Sequence, residues 1–334
     1  MMANLVDFSS TFCRSLRSFQ PRRPLFSSGT ATGTVYCHFL IVTALALAIA
    51  CVGGVPTGHQ SVQPTPANYR PVVLIHGILA SSGTLQDLVD LIHDAHPGTN
   101  VSVVPLYEEL NSLKSLWQQV PRFAAAIRPI MEAATNGIIL LCYSQGGVTC
   151  RGILETVPDH NVHTFISLSA PQMGQYGDTS FFPFLPKMKE EVYRFCYLSS
   201  YGQDISFCNY WKDPHEQALY LKYNNYLPLL NNETMNAKSK EWKANFLRIK
   251  QLVLIGGPDD GVITPWQSSQ FGFYDNNETI VEMRQQKVYK YDSFGLRTLD
   301  KKQAIQTYTI AGVQHINWHG NKTVFDCCIE PWLV

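Results

Sequence analysis

The chain has 334 residues, of which 26 are Lys or Arg and 26 are Asp or Glu, so its formal net charge is zero. No basic stripe is present, and this argues against a nucleic-acid partner. The length suits one large α/β domain or two smaller ones.

The first 58 residues have the pattern of a secretory leader. Four arginines precede an apolar run at 39–52, and two glycines follow it. A basic region, a short apolar region and small residues are typical of a signal peptide, and a membrane span would need about 20 apolar residues. We therefore expect 1–58 to be an extension with a cleaved signal peptide, with a retained signal anchor as the alternative. Cleavage would leave 22 basic and 25 acidic residues and no membrane-spanning segment.

Sequons and cysteines downstream of this leader favour a secretory-route glycoprotein. The sequons are at Asn100, Asn232, Asn277 and Asn321. An oxidising compartment also permits disulfides. The cysteines after the leader are Cys142, Cys150, Cys196, Cys208, Cys327 and Cys328. Their order suggests the pairs Cys142–Cys150 and Cys196–Cys208, although six cysteines allow about 15 connectivities. A small buried residue without a cross-link is the alternative for Cys142.

Apolar runs and helical periodicities alternate along the rest of the chain. The predicted strands are 71–77, 101–106, 138–141, 165–168, 251–257 and 305–311. The predicted helices are 84–95, 113–134, 148–157 and a short one at 322–328, with Pro121 and Pro129 expected to start, bend or split the second. This alternation predicts a mostly parallel sheet with helices on both faces, within a single domain at 59–334. The aromatic-rich segment 172–245 breaks the pattern and is predicted to be an inserted lid or cap.

The stretch LLCYSQGG at 140–147 has the form of a nucleophile elbow. An apolar run is followed by one serine, two glycines and an apolar helical stretch. The sharp turn needs small residues around the serine, and the helix that follows presents free N–H groups where negative charge develops. Gly-x-Ser-x-Gly is matched except at its first position, which is Cys142. Ser144 is the predicted nucleophile.

The acid and the base follow from chain order, because α/β hydrolases place the acid and then the histidine after the serine. Asp259 and Asp260 come after strand 251–257, and we favour Asp260 because it keeps a two-residue gap after the turn. His315 follows the last strand and a turn that can carry its imidazole toward the serine. His319 is the alternative base, but it lies beside a sequon.

Two backbone N–H groups are predicted to form the oxyanion hole. One belongs to Gln145, directly after the nucleophile, and the other to Ile78, in the loop after the first strand. Gly77 would let that loop approach the substrate closely. His76 precedes the serine in the chain, so we expect it to orient this loop and not to act as the base. No metal or organic cofactor is predicted.

Four blocks of the chain form a specific pattern, namely HG at 76–77, CYSQGG at 142–147, SAPQMGQYGD at 169–178 and GGPDDGVITPWQSS at 256–269. These blocks resemble the palmitoyl-protein thioesterases. The blocks at 142–147 and 256–269 resemble the lysosomal type 2 branch in particular. The resemblance covers about 68–334. It implies an α/β-hydrolase fold and a lysosomal thioesterase that acts on long-chain fatty acyl thioesters such as acyl-CoA or S-acylated substrates. It also implies the same site residues, namely Ser144, Asp260, His315 and the N–H groups of Ile78 and Gln145.

One position departs from this family. Its members tend to carry a cysteine on the last strand, paired with one in the C-terminal segment, whereas this chain has Tyr308 there. Cys327 and Cys328 are adjacent, so a vicinal disulfide or free thiols remain open.

Two other functions fit the same residues. A lipase or carboxylesterase acting on oxygen esters would use the same three side chains. A binding glycoprotein with an inactive hydrolase fold would not need them, and the presence of Ser, Asp and His in the expected order argues against it.

Overall fold

A computed structural model describes residues 69–177 and 188–334. The predicted signal peptide, the start of the predicted domain at 59–68 and residues 178–187 of the predicted cap lie outside the described residues. The strands are β1 (Val72–Ile75), β2 (Val101–Val103), β3 (Ile138–Tyr143), β4 (Val162–Leu168), β5 (Gln251–Gly256), β6 (Phe273–Tyr274), β7 (Ile280–Val281) and β8 (Ile305–Thr309).

Six of these strands form one parallel sheet within the described part of the chain. Its order is β2-β1-β3-β4-β5-β8, and every neighbouring pair is parallel. β6 and β7 form a separate antiparallel pair. The predicted mostly parallel sheet and the α/β-hydrolase fold are therefore confirmed.

Helices pack against both faces of this sheet. The α-helices are α1 (Gln86–Ala95), α2 (Leu116–Ala133), α3 (Gln145–Thr156), α4 (Ser206–Tyr210), α5 (Gln217–Tyr223), α6 (Leu227–Leu230), α7 (Ser239–Phe246), α8 (Lys287–Lys290), α9 (Leu296–Lys301) and α10 (Lys322–Val324). Short 3-10 helices are found at Ser82–Leu85, Glu109–Leu113, Lys189–Glu191, Gly202–Asp204, Trp266–Gln270, Met283–Gln285, His315–Asn317 and Glu330–Trp332. Arg194–Leu198 and Phe325–Ile329 are π-helical. No helix of the described residues is long and apolar enough to cross a membrane.

Side chains of the central strands alternate between two apolar clusters. In β1, Val73 and Ile75 join the cluster that contains the buried face of α2 and α3, whereas Val72 and Leu74 join the cluster that contains α1 and the C-terminal segment. All six residues of β3 are buried. A parallel sheet covered on both faces requires such uninterrupted apolar strands, and burying each large apolar side chain contributes roughly 1.5–3 kcal/mol.

Helix α2 contains both of its prolines, so neither proline starts or splits it. Pro121 and Pro129 lie on its exposed face. The opposite face buries apolar residues, including Phe123 and Ile127, against the sheet. Packing of an amphipathic face supplies most of a helix's stability in a folded protein, so this contact outweighs the lost hydrogen bonds at the prolines.

Helix α3 begins at Gln145, three residues earlier than its predicted start. The reason is the close approach of Gly146 to the end of β1. A Cβ on Gly146 would lie 2.6 Å from the carbonyl oxygens of Ile75 and His76. Only glycine allows the first helical turn to lie this close to the sheet. The helix therefore begins directly after Ser144, the predicted nucleophile, with no connecting loop.

Two disulfides suggested by the sequence are present. Cys142, in β3, is bonded to Cys150, in α3, and the bond encloses the elbow. Cys196 is bonded to Cys208 within the region predicted to be a cap. The C-terminal cysteines also form a disulfide, between the adjacent Cys327 and Cys328. Of the two possibilities that the sequence left open for these cysteines, the structure has the vicinal disulfide.

We expect the double substitution Cys142→Ala/Cys150→Ala to lower the free energy of unfolding by about 2.5 kcal/mol, the loop-closure entropy of a cross-link across so short a loop. Urea unfolding in non-reducing buffer measures this change. The single substitution Cys150→Ala is the matched control and should cost a similar amount. A midpoint equal to that of the parent protein for both variants would show that no such cross-link forms.

Candidate active site

Ser144 lies at the tip of the turn between β3 and α3. Its backbone has φ 54° and ψ −129°, in the left-handed half of the Ramachandran map, which side-chain-bearing residues seldom adopt. Such a conformation costs of order 1–3 kcal/mol and is held by surrounding structure. Here the buried β3 and α3, joined by the Cys142–Cys150 disulfide, hold it. The turn directs the hydroxyl of Ser144 away from the strand, toward the loops at the carboxyl edge of the sheet.

His315 connects this serine to a carboxylate. Its Nε2 lies 2.9 Å from Ser144 Oγ, and its Nδ1 lies 3.1 Å and 3.0 Å from Asp260 Oδ1 and Oδ2. Because the carboxylate can only accept, the proton of the neutral imidazole belongs on Nδ1, and Nε2 is left to accept from the serine hydroxyl. The backbone N–H of His315 also donates to the carbonyl of Asp260, at 2.8 Å. The two loops are therefore linked by main chain as well as by side chain.

Asp260 is buried in the turn after β5, with 3% of its surface exposed. The backbone N–H groups of Val262 and Ile263 donate to its Oδ1, at 3.0 Å and 2.7 Å. Burial alone would raise the pKa of the Asp260 carboxyl. Hydrogen bonding and charge from His315, together with hydrogen bonds from Ser169 and Ile263, outweigh burial and hold that pKa below its ordinary value. The carboxylate is therefore suited to remain ionised in acidic surroundings.

The two alternative residues lie elsewhere. Asp259 is exposed, and its Oδ2 accepts from the backbone N–H of Gly312 at 2.7 Å, so it braces the turn before His315. His319 is half-buried and meets the ring of Tyr143 edge-on, with 5.4 Å between centroids. No hydrogen bond joins His319 to Ser144 among the described residues. Geometry thus favours Asp260 and His315.

The loop after β1 passes directly beside Ser144, the predicted nucleophile. A Cβ on Gly77 would lie 2.8 Å from the Cβ of Ser144, so only glycine allows this approach. The N–H of Ile78, the next residue, has no acceptor within the described part of the chain. No hydrogen bond joins His76 to Ser144 among the described residues. Its ring nitrogens lie 2.8 Å from the carbonyl of Gly77 and 3.0 Å from the carbonyl of Leu106, positions that fix the loop.

Gln145 supplies the other predicted N–H, at the first position of α3, where an N–H has no intrahelical acceptor. Its side chain is fully engaged. Nε2 donates to the carbonyl of Ser112 at 2.9 Å, and Oε1 accepts from the hydroxyl of Tyr210 at 3.2 Å. Ser112 lies in the 3-10 helix before α2, and Tyr210 is the last residue of α4. The residue that follows the nucleophile therefore ties the elbow to the predicted cap.

Three residues around the acid and the base were missed by the sequence analysis. Ser169 and Trp318 donate to Asp260 Oδ2, and Tyr143 donates to the carbonyl of His315 at 2.7 Å. Ser169 could have been found, because it directly follows β4 and the ends of parallel strands share one edge of a sheet. The other two carry no sequence pattern that marks them.

The sequons lie at the surface to different degrees. Asn100, Asn232 and Asn277 are exposed, whereas Asn321 is half-buried and its side-chain oxygen accepts from the backbone N–H of Val324 as a helix cap. Across residues 69–177 and 188–334, no group of three or more His, Cys, Asp or Glu is arranged to hold a metal ion.

Comparisons with known proteins show which family the chain is similar to. A family model described as palmitoyl protein thioesterase matches residues 71–315. A rat protein named lysosomal thioesterase PPT2 is 53% identical over 272 residues, which cover 81% of this chain and 90% of the relative. Its human counterpart is 52% identical over the same shares. A Drosophila melanogaster homologue is 39% identical and covers 79% of this chain and 92% of its own.

A solved structure similar to this chain is a Bacillus licheniformis lipase in its mature form. It has a TM-score of 0.47 and 18% identity, and it covers 82% of this chain and 95% of its own.

The adjacent aspartates allow a matched pair of variants. We expect Asp260→Asn to lower kcat of ester or thioester hydrolysis by about 10³–10⁴-fold, because an amide no longer holds the His315 tautomer that accepts from Ser144. Asp259→Asn should retain most of the parent kcat, since it removes only an exposed contact with Gly312. Steady-state kinetics on the two purified proteins make the comparison. The assignment fails if Asp259→Asn is the inactive variant of the two.

Proposed function

The chain belongs to the palmitoyl protein thioesterase family and is a thioester hydrolase, and from that premise we propose that it releases long-chain fatty acids in the lysosome through an acyl-enzyme on Ser144. The observation that carries the mechanism is the hydrogen-bonded series from Ser144 Oγ to His315 and on to Asp260, with spacings of 2.9 Å and 3.0 Å. Hydrogen-bond contact between a nucleophile and its base, with the base oriented by a third group, is the arrangement that activates a serine.

Acylation begins when His315 Nε2 takes the hydroxyl proton of Ser144 as Oγ attacks the thioester carbonyl carbon. The carbonyl oxygen becomes an oxyanion, which the N–H groups of Ile78 and Gln145 stabilise. Asp260 keeps the imidazole oriented and stabilises its positive charge. The carbon–sulfur bond then breaks, the thiol leaves with the proton held by His315, and the acyl group remains on Ser144.

Deacylation repeats these steps with water. His315 takes a proton from a water molecule, whose oxygen attacks the acyl carbon, and the same N–H groups hold the second oxyanion. The bond from carbon to Ser144 Oγ breaks, and His315 returns the proton to the serine. The products are a free fatty acid and the original enzyme. These steps need no group beyond the three side chains and two N–H donors.

Lysosomal residence is supported by three observations. The relatives from rat and human are named lysosomal thioesterases. Three of the four sequons are exposed, as attachment of a glycan requires. The pKa of the Asp260 carboxyl is lowered, so its charge persists at acidic pH, where an ordinary buried carboxyl would be protonated.

A long acyl chain is supported by the family and by the composition of the described part of the cap. Aromatic side chains pack there in a continuous group. Phe207 contacts Tyr210 and Trp211, and Trp211 contacts Tyr176. Tyr210 also bonds to Gln145, beside the oxyanion hole. These four rings are buried in the apolar core, so the support is the composition of the cap: apolar and aromatic residues are the rule in sites that bind apolar ligands.

Ser144→Ala should abolish hydrolysis of palmitoyl-CoA while leaving the protein folded. The substitution removes only the hydroxyl, and alanine keeps the small volume that the elbow needs. Release of thiol from palmitoyl-CoA, followed with a thiol reagent, measures the activity, and thermal unfolding checks the fold. Turnover by the folded variant at the parent rate would exclude the acyl-enzyme on Ser144.

A substrate panel separates the thioesterase from an oxygen-ester hydrolase. We expect a higher kcat/KM for palmitoyl-CoA than for a palmitoyl oxygen ester, and a higher value for long than for short acyl-CoA, at acidic pH. Parallel assays at neutral pH with the Ser144→Ala protein as the blank complete the design. Preference for the oxygen ester would assign the chain to lipases or carboxylesterases instead.

A further inference from the structure

Ser169 lies at the end of β4 and touches both partners of the acid–base pair. It is fully buried, and its hydroxyl donates to Asp260 Oδ2 at 2.5 Å. The same oxygen lies 3.2 Å from His315 Nδ1. Its backbone has φ 44°, in the left-handed region that serine rarely adopts. A strained, buried residue persists where the surrounding structure demands it, and here the strain aims a hydroxyl at the carboxylate.

Trp318 reaches the same carboxylate oxygen from another element. Its indole Nε1 donates to Asp260 Oδ2 at 2.6 Å, and the residue is fully buried. It follows the short helix that carries His315. An indole N–H is a donor only, so this contact serves the ionised carboxylate. Together with Val262 and Ile263 on Oδ1, the carboxylate has four donors besides His315.

We propose that Ser169 and Trp318 are positioning residues that keep Asp260 ionised and oriented, and that they extend catalysis to lower pH. The inference rests on the proposed role of Asp260 in catalysis. Neither side chain touches a reacting atom, so each acts through Asp260. Hydrogen bonds to the charged form of a carboxyl favour that form, and each such bond has the strength of a charge-assisted contact.

Other titratable groups face the pair and need to be considered. They are Tyr143, His319, Asp259 and Asp87. Tyr143 stacks on the ring of His315 at 5.1 Å between centroids, and burial together with the charge of Asp260 raises the pKa of Tyr143, so it stays neutral. Burial lowers the pKa of His319, whereas Asp87 nearby raises it and His315 lowers it. Asp259 points to Gly312. None of these groups donates to Asp260 Oδ2.

The direction of the pH effect follows. The pKa of the Asp260 carboxyl lies below its ordinary value, so the ionised form survives as the pH falls. Removing a donor from Oδ2 raises that pKa. The Asp260 carboxylate therefore loses its charge at a higher pH, and with it the charge that orients His315. The acid limb of the kcat profile therefore moves toward neutral pH.

The test compares Ser169→Ala, Ser169→Gly and Trp318→Phe with the parent full-length protein, using palmitoyl-CoA across acidic to neutral pH. We expect the acid limb of kcat to move upward by about one pH unit and kcat on the plateau to fall about tenfold, since each lost bond is to a charged group. KM should stay within about twofold, because neither residue contacts substrate. Ser169→Gly accepts the left-handed backbone without strain, so it separates loss of the hydroxyl from distortion of the turn.

Trp332→Phe is the matched control. Its Nε1 donates to the hydroxyl of Tyr308, away from Asp260, and the substitution should leave the kcat profile unchanged. If Trp318→Phe fails to fold, the two Ser169 variants decide. Folded Ser169 variants with the parent's acid limb would overturn the inference. An inactive Ser144→Ala protein beside unmoved Ser169 profiles would reject this inference alone, whereas an active Ser144→Ala protein would reject the proposed mechanism itself.

Discussion

Parallel pairing that continues past the ends of β3 and β4, onto β4 and β5, is the constraint on which the site depends. The N–H of Ser144 donates to the carbonyl of Leu168 at 2.9 Å, and the N–H of Ser169 donates to the carbonyl of Ile255 at 2.7 Å. Each strand therefore holds the first residue beyond its neighbour. The nucleophile, Ser169 and the turn with Asp260 are set in a row along one edge.

The second demand on the fold is the burial of the Asp260 charge. An ion removed from water costs several kcal/mol unless hydrogen bonds and an opposite charge compensate. Here donors arrive from its own turn, from the end of β4 and from the segment that carries His315. The carboxylate thus joins these elements to one another. Because Asp260 is held in place, its contact with His315 Nδ1 also fixes the orientation of the imidazole. Compensation by several donors also explains why its pKa is lowered despite burial.

The features predicted correctly from the sequence either are encoded by neighbouring residues or depend only on the order of residues along the chain. Alternating apolar runs gave the parallel sheet, and the elbow pattern with the Ser–Asp–His order selected Ser144, Asp260 and His315, which the structure brings together. The contact of Trp318 with Asp260 could not be predicted, because the two residues lie 58 positions apart and no sequence pattern links them. Ser169 lies 91 positions from Asp260, and only its place directly after β4 indicates that it is near the site. The sequence left open whether the prolines start, bend or split α2, because packing of its buried face, and not propensity, carries the helix through them.

The central claim is that one serine, activated through His315 and Asp260, forms the acyl-enzyme. Labelling with a fluorophosphonate, followed by peptide mass mapping, tests it most directly, because this reagent reacts with activated serines. We predict stoichiometric modification of Ser144 together with complete loss of palmitoyl-CoA hydrolysis, and protection by substrate. Modification of a different residue, or full activity in protein that carries the label on Ser144, would contradict the account.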